Sequence, residues 1–258
     1  MDPRTERPAK RRQSKANKFA EKRNLEKDMN EVLRQERKFL ITLEDFVRYR
    51  NYLEKFMLQD SHNGTSGYMI RSLYFDNLYD GDYYDKEDGL EVRRKIRLRL
   101  YDPKAEYAML EMKQKTGAQQ KKRSLKMTRQ DAIRVSRGDY SPLLAYSDPF
   151  AAECYGVMNY QCYRPKTIVQ YNRKAFIAKE NQIRITFDNQ ITATECCYDI
   201  FAENLNQYPV LDPFQVVLEV KYNHFLLNYI QDLINSISRS EISVSKYCMA
   251  RGTTQMIR

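Results

Sequence analysis

The stretch Arg93 to Tyr101 reads Arg-Arg-Lys-Ile-Arg-Leu-Arg-Leu-Tyr, and it restricts the fold more than any other part of the chain. Successive side chains of a β-strand point to opposite faces of the sheet. In that geometry Arg93, Lys95, Arg97, Arg99 and Tyr101 share one face, while Ile96, Leu98 and Leu100 share the other. The apolar face has to be covered by the rest of the chain. The cationic face has to meet something that tolerates a row of positive charge.

The same device recurs. Val32–Ile41 reads as a strand with Arg34, Glu36 and Lys38 on one face. Ala108–Lys115 places Glu111, Lys113 and Lys115 opposite Leu110 and Met112. A Thr116-Gly117 turn leads into the basic segment 121–127, as in a hairpin. There the register stays open, since either Lys121 with Arg123 or Lys122 with Lys126 faces the cationic side. Gln182–Asp188 sets Arg184, Thr186 and Asp188 against Ile183, Ile185 and Phe187, and Phe214–Tyr222 sets Glu219 and Lys221 against Leu218 and Val220. Tyr68–Phe75 and Thr167–Phe176 read as two further strands.

For a single strand of this kind, a solvated charged face is the ordinary explanation. Recurrence favours a closed antiparallel β-barrel of an α+β protein, with charges in the lumen and apolar residues outside under helices. Clustered cations repel, so such a lumen calls for a multiply charged anion, with or without a metal ion. The covering helices are legible too. Thr42 with Asp45 opens one, carrying Phe46, Val47, Leu53, Phe56 and Met57. Thr128 with Asp131 opens a second, stopped at Gly138. A third region runs from Ser141-Pro142 toward Tyr160 with a break at Asp148-Pro149, and a fourth carries Leu226 to Ile237. Asp80, Asp82, Asp85, Glu87 and Asp88 lack the register of a calcium loop, and the segment reads as a solvated connector.

Composition narrows the chemistry. A formal charge of +10 favours an anionic partner. Five cysteines without a CxxC pair argue for reduced thiols, and two histidines are too few for a histidine-based metal site or triad. No apolar run approaches the roughly 18 residues of a membrane span. The reading is a soluble, cytoplasmic protein with a basic arm over residues 1–30 and a single domain over 31–258. The arm has ten Lys or Arg against four Asp or Glu in its first 27 residues and reads as a flexible basic tail.

Several motifs in order resemble a known family: Glu36-Arg37-Lys38, Leu73-Tyr74-Phe75-Asp76, Lys95 to Tyr101, Leu110-Glu111-Met112-Lys113, Tyr171-Asn172-Arg173, Leu218-Glu219-Val220-Lys221 and Ser245-Lys246-Tyr247. Together they resemble the triphosphate tunnel metalloenzymes, and among them the polyphosphate polymerase domain of the vacuolar transporter chaperone (VTC) complex in its bacterial stand-alone form. The resemblance covers roughly Leu33 to Arg251. It implies a polymerase that transfers the γ-phosphate of ATP onto inorganic polyphosphate, with Mn2+ or Mg2+ as cofactor. It further implies catalytic roles for Arg97, Arg99, Lys113, Arg173 and Lys246, and substrate binding by Lys38, Lys95, Lys121, Arg184, Lys221 and Ser245. Glu219, Glu36 and Glu111 are the implied metal ligands. The family's usual Glu-x-Glu-x-Lys is here Arg34-x-Glu36-x-Lys38, one carboxylate fewer. A membrane partner for export would be a separate protein, and no sequence-specific nucleic acid is implied. Two other readings remain: a metal-dependent tripolyphosphatase or nucleoside triphosphatase of the same fold, and a non-catalytic binder of polyphosphate or RNA. Against the simple binder, the glutamates on the cationic faces weaken phosphate binding unless a metal intervenes.

Overall fold

A computed structural model describes residues 34–117, 119–237, 241–243 and 245–256. The arm expected over residues 1–30 lies outside them. Ten strands form one sheet: β1 (Arg34–Thr42), β2 (Leu58–Gln59), β3 (Tyr68–Asp76), β4 (Val92–Leu100), β5 (Tyr107–Thr116), β6 (Gln119–Thr128), β7 (Arg164–Ala178), β8 (Ile183–Thr194), β9 (Tyr208–Pro209) and β10 (Gln215–Asn223). The main path runs β1-β10-β8-β7-β3-β4-β5-β6, and every pairing is antiparallel. The helices are α1 (Leu43–Leu53), α2 (Gly81–Glu87), α3 (Arg129–Ser136), α4 (Pro149–Tyr160), α5 (Asn228–Asn235) and α6 (Lys246–Met256).

Strand parity explains how the layers form. Outward-facing Leu73, Phe75, Ile96, Leu98, Leu110, Met112 and Leu125 pack under α3 and α4, which contribute Val135, Phe150, Cys154 and Met158. At the other end of the sheet, Phe39, Ile41, Ile185, Phe187 and Leu218 pack under α1 and α5 through Phe46, Leu53, Ile230 and Ile234. Each such side chain contributes about 1.5–3 kcal/mol when fully buried. The two caps anticipated from sequence are present: Thr42 accepts from the backbone N–H of Asp45, and Thr128 from that of Asp131. Each cap contributes about 1 kcal/mol.

Three features depart from the sequence reading. The sheet curls round a lumen, but among the described residues no backbone hydrogen bond joins β1 to β6, so the barrel is not closed by its ladder. Both edge strands nevertheless line the same cavity, Glu36 and Lys38 from β1 and Gln120 and Lys122 from β6. The segment 241–243 runs along the free edge of β1, where Ile242 N–H donates to Lys38 O.

The acidic segment is not a solvated connector. It folds into α2, with Asp82 buried, and Asp80 pairs with Lys166 at 2.8 Å and Arg251 at 2.5 Å. Charges spaced without a helical stripe hid this, because the partners lie far away in sequence. Finally, the C-terminal motif begins α6, which lies in the concave face of the sheet. Tyr247 stacks on Tyr74 with centroids 5.2 Å apart and donates to Asp76 at 2.6 Å. No helix among the described residues is long and apolar enough to cross a membrane.

Candidate triphosphate site

The lumen is a cavity of about 420 Å3, and its side chains come from opposed strands by parity, joined by Ser245 and Lys246 at the start of α6. Tyr74 pairs with Arg97 and Arg97 with Glu111, so β3, β4 and β5 present a continuous inner row. Across the lumen, Lys38 pairs with Glu219 and Glu36 with Lys221. Ten cations and three carboxylates line the space: Lys38, Lys95, Arg97, Arg99, Lys113, Lys122, Arg173, Arg184, Lys221 and Lys246 with Glu36, Glu111 and Glu219. Such an excess of cations at close quarters favours a polyanion.

The carboxylates divide the cations into groups. Glu36 is the hub of one: Lys38 lies 2.6 Å away, Lys113 3.3 Å and Lys221 3.8 Å. Glu219 joins this group through Lys221 and, at 4.0 Å, Lys38. Burial and the neighbouring Glu219 push the Glu36 carboxyl up, but the three lysines outweigh them and hold it below its usual range. Burial likewise raises Glu219, and Lys221, Lys38, Lys246 and Arg173 bring it well down. Glu111 serves a second group, with Arg97 at 2.7 Å, Lys122 at 2.5 Å and Arg99 at 3.7 Å. Against its burial, these cations lower its pKa to about 2. The third group centres on Asp188, which takes a bidentate pair from Arg173 at 2.6 and 2.7 Å and an ammonium from Lys246 at 2.6 Å. Lys246 and Arg173 both lie over the Tyr171 ring, at 4.7 and 5.4 Å.

Two lysines are destabilised as cations. Burial, and then the neighbouring Lys38 and Lys86, lower Lys95, which is held by Ser245 Oγ at 2.5 Å. Burial lowers Lys113, and repulsion from Lys38 and Lys221 adds to it beyond what Glu36 restores. Arg99 is 8% exposed and its Nε has no hydrogen-bond partner. A buried guanidinium without its full set of acceptors marks a place where anionic oxygens fit. At one mouth, Arg184 joins Asp60 at 2.6 Å and Tyr68 at 3.1 Å, beside a loose cluster of His62, Tyr68 and Tyr101. The other mouth opens into a basin lined by Lys86, Arg93, Arg94 and Lys115.

Of the residues singled out from sequence, all but one line the lumen. Lys121 is the correction. It pairs with Gln114 and, like Arg123, faces outward toward Glu153 of α4, while Lys122 pairs with Lys113 and points inward. Both parities of this segment carry cations, so its composition could not choose between them. The three glutamates do not form one ligand set either. Glu111 is taken up by Arg97 and Lys122, and among the described residues no three His, Cys, Asp or Glu converge on a point. Sequence reasoning missed Asp188 and Tyr171 as organisers of the site. The available signal was parity: Asp188 shares its face with Arg184, and Tyr171 with Arg173.

The donors of Glu36 and Glu219 suit a hard divalent cation. Both are anionic oxygen ligands, and Glu219 Oε1 is buried, in ion-pair contact with Lys221 but without a hydrogen bond. Mg2+-like ions are commonly held by one or two carboxylates, with waters and substrate phosphates completing the shell.

Comparison with known proteins bears on the fold and the family. Among solved structures, a candidate adenylyl cyclase from Hippeastrum, described as having a dominant triphosphatase activity, has TM-score 0.50 at 14% identity, covering 84% of this chain and 95% of that one. A candidate adenylate cyclase from Bacillus halodurans has TM-score 0.49 at 14% identity, covering 83% of this chain and 95% of its own. No curated protein sequence matches the chain. The family model of the VTC domain matches residues 33–254. A match over that span, on a curled antiparallel sheet with a cation-lined lumen, makes this chain a member of the VTC domain family with the triphosphate tunnel fold.

Proposed function

We propose that this protein is a polyphosphate polymerase that transfers the γ-phosphate of ATP to the end of an inorganic polyphosphate chain inside the lumen. The observation that carries the reading is the enclosed cationic cavity with the Glu36 and Glu219 carboxylates at one wall, in a chain of the VTC domain family. A terminal oxygen of the chain attacks the γ-phosphorus, the bond to the β,γ-bridging oxygen breaks, and ADP leaves with that oxygen. Phosphoryl transfer asks mainly for positioning and charge stabilisation, so no side-chain nucleophile is needed.

Arg97, Arg99, Arg173 and Lys246 bind and align the phosphates. Asp188 and Glu111 hold these cations in place, and Tyr171 gives Arg173 and Lys246 a common floor. Lys38, Lys113 and Lys221 neutralise the carboxylate wall and the substrate together; Lys95, Arg184 and Ser245 extend the binding surface toward the mouths. Glu36 and Glu219 would hold Mn2+ or Mg2+, which supplies Lewis-acid neutralisation of phosphate oxygens. Glu111, engaged by its own cations, acts as an organiser in this reading.

Incubating the protein with ATP and Mn2+ and resolving the products on a stained gel tests the assignment. Phosphate chains that lengthen with time are expected, with ADP released in step. Orthophosphate without chains would overturn the polymerase in favour of a triphosphatase, the activity named for the Hippeastrum protein.

A further inference from the structure

On the outer side of the sheet, a second cavity of about 710 Å3 opens over the bulge where β7 and β8 shift register. Phe46 of the α1 shell and Met69, which packs against the α4 shell, stand at its walls, so it occupies the gap between the two apolar layers. The loop of residues 63–67 is fastened over β7. Asn63 exchanges two hydrogen bonds with the Ala175 backbone, and Asn172 donates to Ser66 O at 2.7 Å. Gly67, at φ +105°, lies so near that a Cβ there would come within 2.4 Å of Arg173 O.

Two cations line this cavity, Arg50 and Lys174, and no carboxylate does. Lys174 is 5% exposed. Its ammonium donates to Gly64 O at 3.1 Å and Thr65 O at 3.4 Å, and no described carboxylate pairs with it. Three donors on a buried charge, met only by two carbonyl oxygens, leave a position for an anionic oxygen. The remaining lining is of amides and hydroxyls. Asn189 Oδ1 and Gln207 Nε2, on two of the lining residues, are buried without a hydrogen-bond partner. Small-molecule sites run to roughly 300–1,000 Å3, and a lone phosphate would leave most of this one empty.

We propose that this outer cavity is a binding site for a small phosphorylated sugar, its phosphate on Lys174 and Arg50 and its hydroxyls on the surrounding amides. It opens on the other face of the sheet from the lumen, though Tyr171 lines both cavities, Lys174 and Asn172 flank Arg173, and Asn189 follows Asp188. The ligand is either a free sugar phosphate or the ribose phosphate of a nucleotide.

Calorimetric titration of the full chain with ribose 5-phosphate, AMP and inorganic phosphate, paired with amide hydrogen exchange, tests this. Saturable binding of a sugar phosphate is expected, with new protection at residues 63–67, 170–175 and 189–192. AMP binding the tighter identifies a nucleotide site; equal affinities identify the sugar phosphate itself. Lys174→Met should weaken binding at least about tenfold, and the more exposed Arg50→Ala, which serves if the first variant does not fold, about threefold. Protection at 95–99 and 111–113 instead, binding indifferent to both substitutions, inorganic phosphate binding as tightly as the sugar phosphates, or no binding up to about 10 mM would each overturn the proposal.

Discussion

Arg99 illustrates how much a single lumen residue is asked to do. It is buried, its Nε makes no hydrogen bond, and the carboxylate it faces, Glu111 at 3.7 Å, is shared with Arg97 and Lys122. A cation this poorly neutralised gains most when phosphate arrives. Arg99→Ala is expected to lower turnover on ATP at least about tenfold in a steady-state assay, with the far-UV circular dichroism unchanged. Glu219→Gln should do the same, and raise the Mn2+ concentration needed for half-maximal rate, because it removes an anionic ligand but keeps the shape. The alternation of Arg97 and Arg99 with Leu98 was legible from sequence because from Lys95 to Leu100 only one parity carries charge. Over residues 121–126 both parities do, and only the pairing of Lys113 with Lys122 decides. Lys122→Met should therefore reduce triphosphate affinity severalfold while Lys121→Met leaves it within about twofold, measured side by side by titration.

At the level of elements, α2 and α6 escaped the sequence reading for a common reason. Neither has a long apolar stripe, and each is held by buried polar ties, several of them to partners far away in the chain. Asp76 accepts from the backbone of Asp82 and Tyr83 and from the Tyr247 hydroxyl, and Arg251 reaches Asp80 and Glu195. The strands, whose period is visible locally, were legible; these buried polar ties were not. They carry a pH signature. Burial, then the neighbouring Asp76, push the Asp82 carboxyl up to about 7 from an ordinary 3.8. The folded state therefore keeps this proton longer than the unfolded chain does. Stability from this group is full below about pH 4 and is lost as pH rises through about 7, a change of a few kcal/mol. Thermal melts of Asp82→Asn should show a flatter decline between pH 5 and pH 8 than the parent, roughly. Asn keeps an acceptor for the Tyr163 hydroxyl, which donates to Asp82 at 2.9 Å.

The described residues form a curled sheet insulated by two outer apolar shells, and inside it a charge lattice lies beside a third apolar cluster, where Tyr74, Val169 and Tyr171 meet Tyr247 and Ala250 of α6. Cations at this density are tolerated because Glu36, Glu111, Glu219 and Asp188 are distributed among them. Added salt screens the mouths more than the depths, so association of tripolyphosphate should slow with ionic strength while its dissociation changes little, as stopped-flow traces at several salt concentrations would show. That the lumen is enclosed was foreseeable from the recurrence of one-sided strands. How it is enclosed was not, since strand patterns say nothing of which edges meet.

The edges of β1 and β6, which do not pair with each other among the described residues, give the enclosure a mechanical character. Among the described residues no backbone ladder joins β1 to β6; Lys113 reaching to Glu36 at 3.3 Å, and segment 241–243 tied along β1 by the Ile242 N–H, act as a clasp. A clasp made of charges responds to its contents. An anion in the lumen competes with Glu36 for Lys113, and so acts on the clasp directly. On the polymerase reading proposed above, a closure of this kind can adjust to a phosphate chain without unfolding a rigid ring.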